Sequence, residues 1–536
     1  MGKSLVALDT DHIKEYVFGT DKLKEIRGAS SILDKLNRDA MGEVAREEDP
    51  RAEQVYANGG SGLFLVDTAK ADGLGKAIQR EYRVQTAGGA TITYAVQHIP
   101  KGKNPWKDDI RQELELLRHR LRQNKDRQPD LNEIALFSHP FIRPCDACGV
   151  EYAEETQSDQ DDPDEPEGRY CRVCLRKREE DIDIKTRIPN LIRAAREGRL
   201  ADKTLWGRIL ESLNPSDKSG YDLSGTPKRP RDFNVFSNFT SGKDYLGLIY
   251  ADANGMGKAL ETQSTLQEVQ EFAEEVDKAV FKAMGYAIRE HLPVQKGFFP
   301  FDILLIGGDD IVMVTTAAKA LQVAYTIAEQ FHIFTKQKYT LSVGVVLAPI
   351  KYPFNLQQTL ADETLKAAKK AGSANDNSQR NESRINFVVV TGSTSLSYQK
   401  IYQELHRKKV PYGNEDEFYA TLRPYTLSQL KDLLAALRKG NKERLGRTKL
   451  HQLREAILKL NRTTTILEAL SLRRNWKQEE QVFIKQLVDK FDTRSAKQQK
   501  VTGTLFPWFL DGKATYRTPL LDFIELYDFV SSEERV

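Results

Sequence analysis

The stretch FDILLIGGDDIVMV, residues 301–314, places two glycines and two acids between two runs of apolar residues. Both runs are almost continuously apolar, as expected for strands that are covered on both faces. The glycines allow a turn with positive φ and let a ligand approach the backbone closely. The sequence therefore predicts a β-hairpin whose tip carries Gly307, Gly308, Asp309 and Asp310.

The adjacent carboxylates of Asp309 and Asp310 predict a divalent-cation site at this tip. Mg²⁺ and Mn²⁺ prefer carboxylate oxygen, and in phosphoryl chemistry Mg²⁺ typically takes one or two carboxylates and the phosphates of the substrate. An ordinary Gly-Asp turn with solvated acids is the alternative for the tetrapeptide taken alone. The sequence around it favours the metal site.

Upstream, an apolar strand ends at Asp252 and is followed by a glycine-rich turn and a helical pattern that begins near Ala259. Asp252 at the strand end can reach the same metals as Asp309. Backbone N–H groups at a helix N-terminus form an anion site suited to a triphosphate. The residues predicted to line the nucleotide site are Asn254, Gly255, Met256 and Gly257 of this turn and Gly307 and Gly308 of the hairpin.

The order of the predicted elements indicates the fold. Residues 341–348 read as a further strand, and helical patterns cover 268–291, 317–331 and 361–372. The order becomes strand, helix, hairpin, helix, strand, helix. This is the ferredoxin-like palm layout of polymerases and nucleotide cyclases, so we predict an α/β (α+β) fold class.

Four motifs in this order carry a resemblance to a known family. The D-x-N-G-M-G turn, the GGDD hairpin, the S-V-G-V-V strand at 342–346 and the helix at 361–372 resemble the second palm domain of the large polymerase-like subunit of type III CRISPR effector complexes. That domain is related to the GGDEF nucleotide cyclases. Here Asp310-Ile311 stands where those cyclases have Glu-Phe, which favours the CRISPR-type domain over a diguanylate cyclase.

The resemblance implies a synthase that joins ATP units into cyclic oligoadenylate messengers when target RNA binds. By the same resemblance, Asp252 and Asp309 hold Mg²⁺ or Mn²⁺ with Asp310 beside them, and Lys369 contacts the triphosphate. The reaction would be a two-metal phosphoryl transfer that needs no protein nucleophile. A stand-alone nucleotide cyclase or dinucleotide synthase is the alternative enzyme, and a non-enzymatic scaffold with a relic GGDD is the alternative outside enzymes.

The N-terminal region extends the resemblance to a first palm. Residues 5–18 and 22–30 look like its opening strand and helix, and 55–66 repeats the hairpin pattern. The N-terminal hairpin keeps the two glycines, and Ser61 and Gly62 are expected where the GGDD hairpin has its two acids. We therefore predict a degenerate palm that serves as a second nucleotide platform or scaffold. Asp9 and Asp11 are expected to be solvent-facing or nucleotide-facing polar groups.

All four cysteines lie between the two palms as two C-x-x-C pairs, Cys145/Cys148 and Cys171/Cys174. This spacing predicts a tetrahedral Cys₄ site for structural Zn²⁺ with no open position for chemistry. An acidic loop at 151–167 lengthens the segment between the pairs. Two disulfides or a redox pair are weak alternatives, because we expect no signal peptide and therefore reduced thiols, and an iron–sulfur cluster stays open.

Composition limits the remaining functions. The chain has 80 Lys+Arg against 77 Asp+Glu and a formal charge of +3, so any nucleic-acid contact must come from local patches. No apolar run approaches a membrane span, and we expect a cytoplasmic protein without membrane contact. None of the eight histidines is followed by Asp, and we expect no HD-type DNase activity.

The last region, from about Ile401, has helical patterns with basic faces and a basic stretch that includes Arg438, Lys439 and Lys442. A solvated surface explains these charges about as well as docking does. The resemblance implies partners: a small helical subunit, backbone repeat-fold subunits, guide RNA and target RNA. Trp476 is expected in the core. The predicted domains are a degenerate palm (1–135), a zinc-finger and helical connector (136–235), a catalytic GGDD palm (236–400) and a helical C-terminal domain (401–536).

Overall fold

The computed structural model describes residues 2–127, 143–158, 167–214, 220–240, 243–373, 382–392, 397–409, 417–442, 445–492, 506–511 and 514–530. Its fold is mixed α/β, and the strands form sheets of four, six, four and two strands. The predicted fold class is therefore confirmed. In the described residues no helix is both long enough and apolar enough to span a membrane.

The first sheet is antiparallel and has the order β2-β3-β1-β4. Its strands are β1 (Lys3–Asp11), β2 (Glu53–Asn58), β3 (Ser61–Asp67) and β4 (Thr91–His98). The helices of this region are α1 (Ile13–Phe18), α2 (Leu23–Lys35), α3 (Met41–Glu48), α4 (Ala71–Gln85) and α5 (Arg111–Asp126). A π-helical turn, Leu36–Ala40, joins α2 to α3.

The connector holds the cysteines and two helices. A small two-stranded sheet, β5 (Glu155–Gln157) with β6 (Gly168–Tyr170), lies between the cysteine pairs. Helix α6 (Arg172–Arg196) begins at the second pair, and α7 (Leu205–Leu213) follows. Half of the acidic loop, residues 159–166, lies outside the described residues.

The second sheet has the order β14-β11-β10-β7-β9-β8. Its strands are β7 (Tyr245–Ala253), β8 (Phe301–Gly307), β9 (Asp310–Thr316), β10 (Leu341–Pro349), β11 (Arg384–Val389) and β14 (Tyr425–Thr426). Its helices are α8 (Met256–Glu261), α9 (Leu266–His291), α10 (Ala317–Phe334) and α11 (Phe354–Ser373). The predicted hairpin and palm order are thus present, although α11 begins seven residues before the predicted helix.

The strands of this sheet are apolar on both faces because each face packs against a different core. Leu248 and Tyr250 of β7 share a core with the first sheet, including Val6 and Leu8. Ile249 of the same strand packs on the opposite face with the core of α9 and α10. One continuous apolar core therefore joins the two palms, and burial of this area orients them against each other.

The strand register shows that the two palms are copies of one design. β2-β3-β1-β4 corresponds to β8-β9-β7-β10, and in both hairpins a two-residue turn follows the last paired residues, Asn58↔Ser61 and Gly307↔Asp310. The two turns touch: a Cβ on Gly59 would lie 2.7 Å from the backbone nitrogen of Gly308. Gly59 and Gly308 both have positive φ, which favours glycine at both positions, and at Gly59 the close approach also leaves no space for a side chain.

The C-terminal region is helical with an additional small sheet. Its helices are α12 (Tyr398–Leu405), α13 (Leu427–Lys442), α14 (Arg447–Leu458), α15 (Arg462–Arg474), α16 (Gln478–Phe491) and α17 (Leu520–Val530). The unpredicted sheet has the order β12-β13-β16-β15, from β12 (Arg407–Lys409), β13 (Glu417–Tyr419), β15 (Phe509–Leu510) and β16 (Thr515–Arg517). Strands of two or three residues carry no readable periodicity. Trp476 is buried, as predicted.

Candidate functional site

Three aspartates converge at the ends of neighbouring strands in the second palm. Asp252 is the penultimate residue of β7, and Asp309 and Asp310 occupy the turn and the first position of β9. The pairing of Ala251 with Ile311 brings these strand ends side by side. Asp252 and Asp309 lie within hydrogen-bonding distance of each other. The structure thus brings the three predicted metal ligands together.

The electrostatics of this cluster favour a bound cation. Burial and the adjacent Asp252 carboxylate raise the pKa of Asp309 to about 7. Burial and the charges of Asp252 and Asp309 raise the pKa of Asp310 well above its ordinary value. Among the described residues nothing donates a hydrogen bond to the buried Oδ1 of Asp310. Carboxylates this close share a proton or a cation, so the donor set fits a divalent metal.

Two lysines from different palms border the cluster. Lys369 of α11 makes an ion pair with Asp252. Lys14 of α1 crosses from the first palm and donates a hydrogen bond to Asp362 Oδ1 at 2.6 Å. Both lysines oppose the rise in the pKa of Asp310. The second-palm site therefore includes a cation that the first palm supplies.

Tyr250 and Asp362 complete the surroundings of the acids. The Tyr250 hydroxyl is buried with no hydrogen-bond partner in the described residues, and the Lys14 ammonium lies 4.9 Å from the centroid of its ring. Burial raises the pKa of Tyr250, and so do the charges of Asp310, Asp362 and Asp252. Burial also acts to raise the pKa of Asp362, but hydrogen bonds from Lys14 and Lys366 outweigh it and the pKa is lowered.

The predicted phosphate turn lies beside the acids. Gly255 has φ 74° and precedes α8, whose first residues are Met256 and Gly257. The Asn254 side chain is held by β10, since its amide donates to Thr340 Oγ1 at 3.0 Å and accepts from Ser342 Oγ at 2.8 Å. Asn254 thus anchors the turn. A Cβ added at Gly257 would have no neighbour within 4 Å among the described residues. Triphosphate binding by this turn stays a prediction.

The first palm repeats half of this arrangement. The register pairs Asp9 with Ser61, which makes Asp9 the counterpart of Asp252 and Ser61 the counterpart of Asp310. Lys125 of α5 contacts Asp9 at 2.6 Å, as Lys369 of α11 contacts Asp252. The first palm therefore keeps the aspartate–lysine pair and lacks the acids of the hairpin.

Two expectations for this palm are corrected. Gly60 and Ser61, rather than Ser61 and Gly62, stand where the acids stand in the second palm, because Asn58 pairs with Ser61 across the turn. Asp11 is buried and accepts hydrogen bonds from Thr93 at 2.9 Å, so it is not solvent-facing. A sheet hydrogen-bond pattern fixes this register, and glycine positions in the sequence do not.

A cavity of about 300 Å³ lies between the two hairpins. Its walls come from the ends of β1 and β8, from α1, α2 and the π turn, and from Asp310 and the glycines of both hairpins. Asp310 thus belongs to the cluster of three aspartates and also lines this cavity. Sequence reasoning did not predict this cavity.

The four cysteines form one cluster. The Sγ atoms of Cys145, Cys148, Cys171 and Cys174 lie within 4.8 Å of one another. Backbone N–H groups donate to two of the thiols, from Ala147 to Cys145 and from Cys174 to Cys171, both at 3.4 Å. This arrangement can hold one metal with four thiolates, and the chemistry of the ligands fits Zn²⁺.

Sequence reasoning missed Lys14, Tyr250 and Asp362. Lys14 and Asp362 are 348 residues apart, and each lies on a helix whose amphipathic pattern is explained by packing alone. Tyr250 reads as one more apolar residue of β7. Lys125 occupies the position in the first palm that Lys369 has in the second, so a comparison of the two palms could have predicted it.

Comparisons with known proteins agree with this geometry. Residues 245–378 match the family model described as Cas10/Cmr2, second palm domain, so the predicted resemblance of this segment is confirmed. A search of curated proteins finds no match.

Solved structures extend the similarity to the whole chain. A chain of the Csm1–Csm4 cassette in complex with cA4 is similar over 99% of this chain and 70% of that chain, with a TM-score of 0.59 and 14% identity. The cassette in complex with one ATP gives the same coverage, a TM-score of 0.57 and 15% identity. The Csm1–Csm4 subcomplex of the type III-A CRISPR-Csm interference complex, also with the same coverage, gives 0.54 and 14%. At these identities the likeness shows a shared fold.

Proposed function

We propose that this chain is the nucleotide-polymerising subunit of a type III CRISPR effector complex and that it converts ATP to cyclic oligoadenylates when target RNA binds. The observation that carries the proposal is the convergence of Asp252, Asp309 and Asp310 with Lys369 at a hairpin that faces a second palm. The family match of residues 245–378 supports it, as does the likeness to cassettes solved with cA4 and with ATP.

Asp252, Asp309 and Asp310 are the residues that would hold Mg²⁺ or Mn²⁺. The unpartnered Oδ1 of Asp310 and the raised pKa of both hairpin acids support this assignment, because a cation would satisfy all three carboxylates. When bound, such metals activate an attacking hydroxyl and neutralise the phosphates. The Cys₄ cluster would hold a structural Zn²⁺ away from the reacting groups.

The chain's own residues orient two ATP molecules. The turn at 254–257 and Lys369 bind the triphosphate of the donor in the second palm, and the cavity beside the first-palm hairpin takes the acceptor. A bond forms between the acceptor 3′-oxygen and the donor α-phosphorus, and the bond from that phosphorus to pyrophosphate breaks. The hydroxyl proton leaves to solvent. Positioning and charge neutralisation carry this reaction, and no covalent enzyme intermediate is formed.

Lys14 has a defined part in this scheme. In the absence of substrate it neutralises Asp362 from across the palm interface. Its ammonium is close enough to influence Asp310. When a triphosphate enters, a lysine at this place stabilises added negative charge by Coulomb attraction. The relative orientation of the palms therefore affects the reaction directly.

Target-RNA dependence would come from partner subunits. Arg438 and Lys439 of α13 are exposed, and the Lys439 ammonium lies 5.6 Å from the centroid of the Phe483 ring. Arg447 and Lys449 instead form ion pairs within the chain, with Asp528 at 3.2 Å and Glu480 at 2.5 Å. Arg438 and Lys439 are therefore the first positions at which to test docking of the small helical subunit, the backbone subunits and guide RNA.

The experiment is to incubate the assembled complex with ATP, Mg²⁺ and RNA complementary to its guide, and to identify products by mass spectrometry. Cyclic oligoadenylates should form only with matching RNA, and Asp309→Ala/Asp310→Ala should remove them while assembly is retained. Full activity of the chain without RNA would indicate a stand-alone cyclase. Absence of any nucleotide product from the intact complex would leave only the scaffold function.

A further inference from the structure

One wall of the cavity between the hairpins carries polar side chains that lie on one face of α2 and the π turn. Ser30, Asp34 and Asn37 are 3%, 8% and 5% exposed, respectively, and all three line the cavity. Spacings of four and three residues place them in a row. The π turn that carries Asn37 widens the helix at this point, as π-helical segments often do at functional sites.

Each of these side chains has an atom without a hydrogen-bond partner in the part of the chain that the structure describes. Asp34 Oδ1 accepts from Arg38 Nε at 2.6 Å, which leaves Oδ2 without a donor. Asn37 Oδ1 accepts from the Tyr82 hydroxyl at 2.6 Å, which leaves Nδ2 without an acceptor. The Ser30 hydroxyl makes no hydrogen bond. These three atoms are open to the cavity rather than enclosed in the core, so a ligand in the cavity can form hydrogen bonds with them.

The structure fixes which way the Asn37 amide points. Tyr82 is fully buried; its hydroxyl oxygen accepts from Thr10 Oγ1 at 3.2 Å, and its hydroxyl donates to Asn37 Oδ1 at 2.6 Å. The Tyr82 proton is therefore directed to Asn37 Oδ1. The amide oxygen is occupied, and the cavity receives the amide nitrogen as a donor.

Arg38 fixes the acceptor in the same way. Its guanidinium bonds Asp34 on one side and Asp277 of α9 on the other, at 3.2 Å. The Asp34 carboxylate is thus held by a contact between the palms, with one oxygen left for the cavity. A donor and an acceptor now stand side by side on one wall.

The other walls of the cavity are suited to a flat ring. Ile13, Leu33, Leu305 and Ile306 contribute apolar surface. Polar groups of α2 and the π turn form one edge, and Lys14 and Asp310 lie on the wall near the acidic cluster. A nucleobase has apolar faces and a hydrogen-bonding edge. The volume of about 300 Å³ is at the lower end for small-ligand sites.

We infer that Asn37 determines the base that the first palm accepts: its Nδ2 donates to N1 of adenine while Asp34 Oδ2 accepts from the exocyclic amino group. Tyr82 and Thr10 act as positioning residues through the amide oxygen. The inference rests on the proposed function, since it concerns the acceptor ATP of that reaction. It deepens that function by naming the residues that select the substrate.

Hypoxanthine is the matched competitor, because its edge has the opposite polarity. It carries a proton on N1, where adenine accepts, and an oxygen in place of the amino group. The Asn37 Nδ2 donor would therefore face another donor, N1–H, and the Asp34 Oδ2 acceptor would face another acceptor, the carbonyl oxygen. Sites built around buried hydrogen bonds discriminate strongly against such ligands, here by about 10- to 100-fold.

The test uses the complete complex with matching RNA and an equimolar mixture of ATP and ITP. In the linear dinucleotide product the 5′ nucleoside comes from the acceptor and the 3′ nucleoside from the donor, so each end reports one palm. For the unmodified chain we expect adenosine at the 5′ end in about 10- to 100-fold excess. Asn37→Asp replaces the donor by an acceptor and should raise 5′ inosine at least about tenfold, with the 3′ ratio unchanged.

Two further variants separate base selection from folding. Asn37→Ala should reduce the 5′ preference without reversing it, because Asp34 Oδ2 still accepts from the adenine amino group. Tyr82→Phe should reduce the preference, because the amide is then free to turn, while thermal stability stays near that of the parent. Asn104→Asp and Tyr94→Phe are the matched controls on the surface of the same palm, and neither should alter the ratio.

An unchanged 5′ ratio in Asn37→Asp and Asn37→Ala overturns the inference, and so does an equal change at both ends. If the unmodified complex makes no dinucleotide, the proposed function fails. The inference is then decided by equilibrium binding of non-hydrolysable ATP and ITP analogues to the chain. A preference for the ATP analogue that is weaker in Asn37→Ala than in the parent supports it. The same ratio of the two dissociation constants in both proteins refutes it.

Discussion

At the scale of single residues, repulsion within the acidic cluster is expected to lower the free energy of unfolding of the metal-free protein and to favour cation binding. Asp252, Asp309 and Asp310 are held close together at a half-buried turn, where each ionised carboxylate disfavours the next. Lys369 and Lys14 offset part of this repulsion. The unpartnered Asp310 Oδ1 shows that the compensation is incomplete. Residues that bind a cation are expected to be less stable without it.

This argument predicts opposite effects for two aspartates of the same site. Without metal, Asp310→Asn should raise the denaturation midpoint, because it removes a buried like charge. Asp362→Asn should lower stability by about 0.5–1 kcal/mol, because Asp362 pairs with Lys14 and Lys366. Mg²⁺ at about ten times its Kd should stabilise the parent by about 1.4 kcal/mol and Asp310→Asn much less. Urea titrations with and without Mg²⁺ measure all four values.

A lower midpoint for metal-free Asp310→Asn would contradict the repulsion argument. Equal Mg²⁺ stabilisation of parent and Asp310→Asn would remove Asp310 from the metal ligands. Asp362→Asn serves as the internal control, since it removes one carboxylate from the same site with the opposite expected sign.

At the scale of elements, α2 forms one wall of the cavity between the two hairpins. It packs on α6 of the cysteine region and on β8 of the second palm through buried ion pairs. Arg27 bonds Asp181 of α6 at 2.9 Å and Asp302 of β8 at 3.0 Å. Glu25 accepts from Arg178 at 2.9 Å. Such buried pairs need well-placed partners on every side, so α2 depends on both neighbours.

Gly28 marks the closest approach of α2 to α6. A Cβ at Gly28 would lie 1.8 Å from the Lys177 carbonyl oxygen, which is a backbone atom and cannot turn away. Gly28→Ala should therefore destabilise the protein by about 1–3 kcal/mol or more and lower synthase activity. Gly73→Ala, at an exposed position of α4, is the control. Its Cβ would meet only Glu48 Oε2 at 3.4 Å, and the substitution should be neutral or stabilising. Equal denaturation midpoints for the two variants would show that the helices separate without cost.

At the scale of the whole molecule, the cysteine cluster is linked to the first palm. Cys171 caps α6, and Lys177 of that helix donates from a buried position to the Tyr16 carbonyl at 2.6 Å. Nearby thiolates favour the charged form of Lys177, although burial lowers its pKa overall. A metal held by the four thiolates would fix the start of α6, and α6 packs against α2, which lines the cavity.

Removal of this metal predicts a long-range effect. The purified chain should contain one Zn²⁺, and chelation or Cys148→Ser should increase hydrogen exchange in α6 and α2 because metal-binding free energy is folding free energy in such sites. Strand β10 of the second palm, which makes no contact with the cluster in the described residues, is the internal control. Elemental analysis without zinc, or unchanged exchange in α6 after chelation, would contradict the prediction.

The sequence by itself determined the second palm and the cysteine site. Apolar runs around GGDD, an acid at the end of a strand and paired C-x-x-C motifs are local patterns, and local patterns survive without knowledge of the fold. Only the tertiary structure decided what faces the acids. Lys14, the register that equates Ser61 with Asp310, and the row Ser30–Asp34–Asn37 depend on how two palms meet. Their partners are far apart in the chain, and packing of a shared core brings them together.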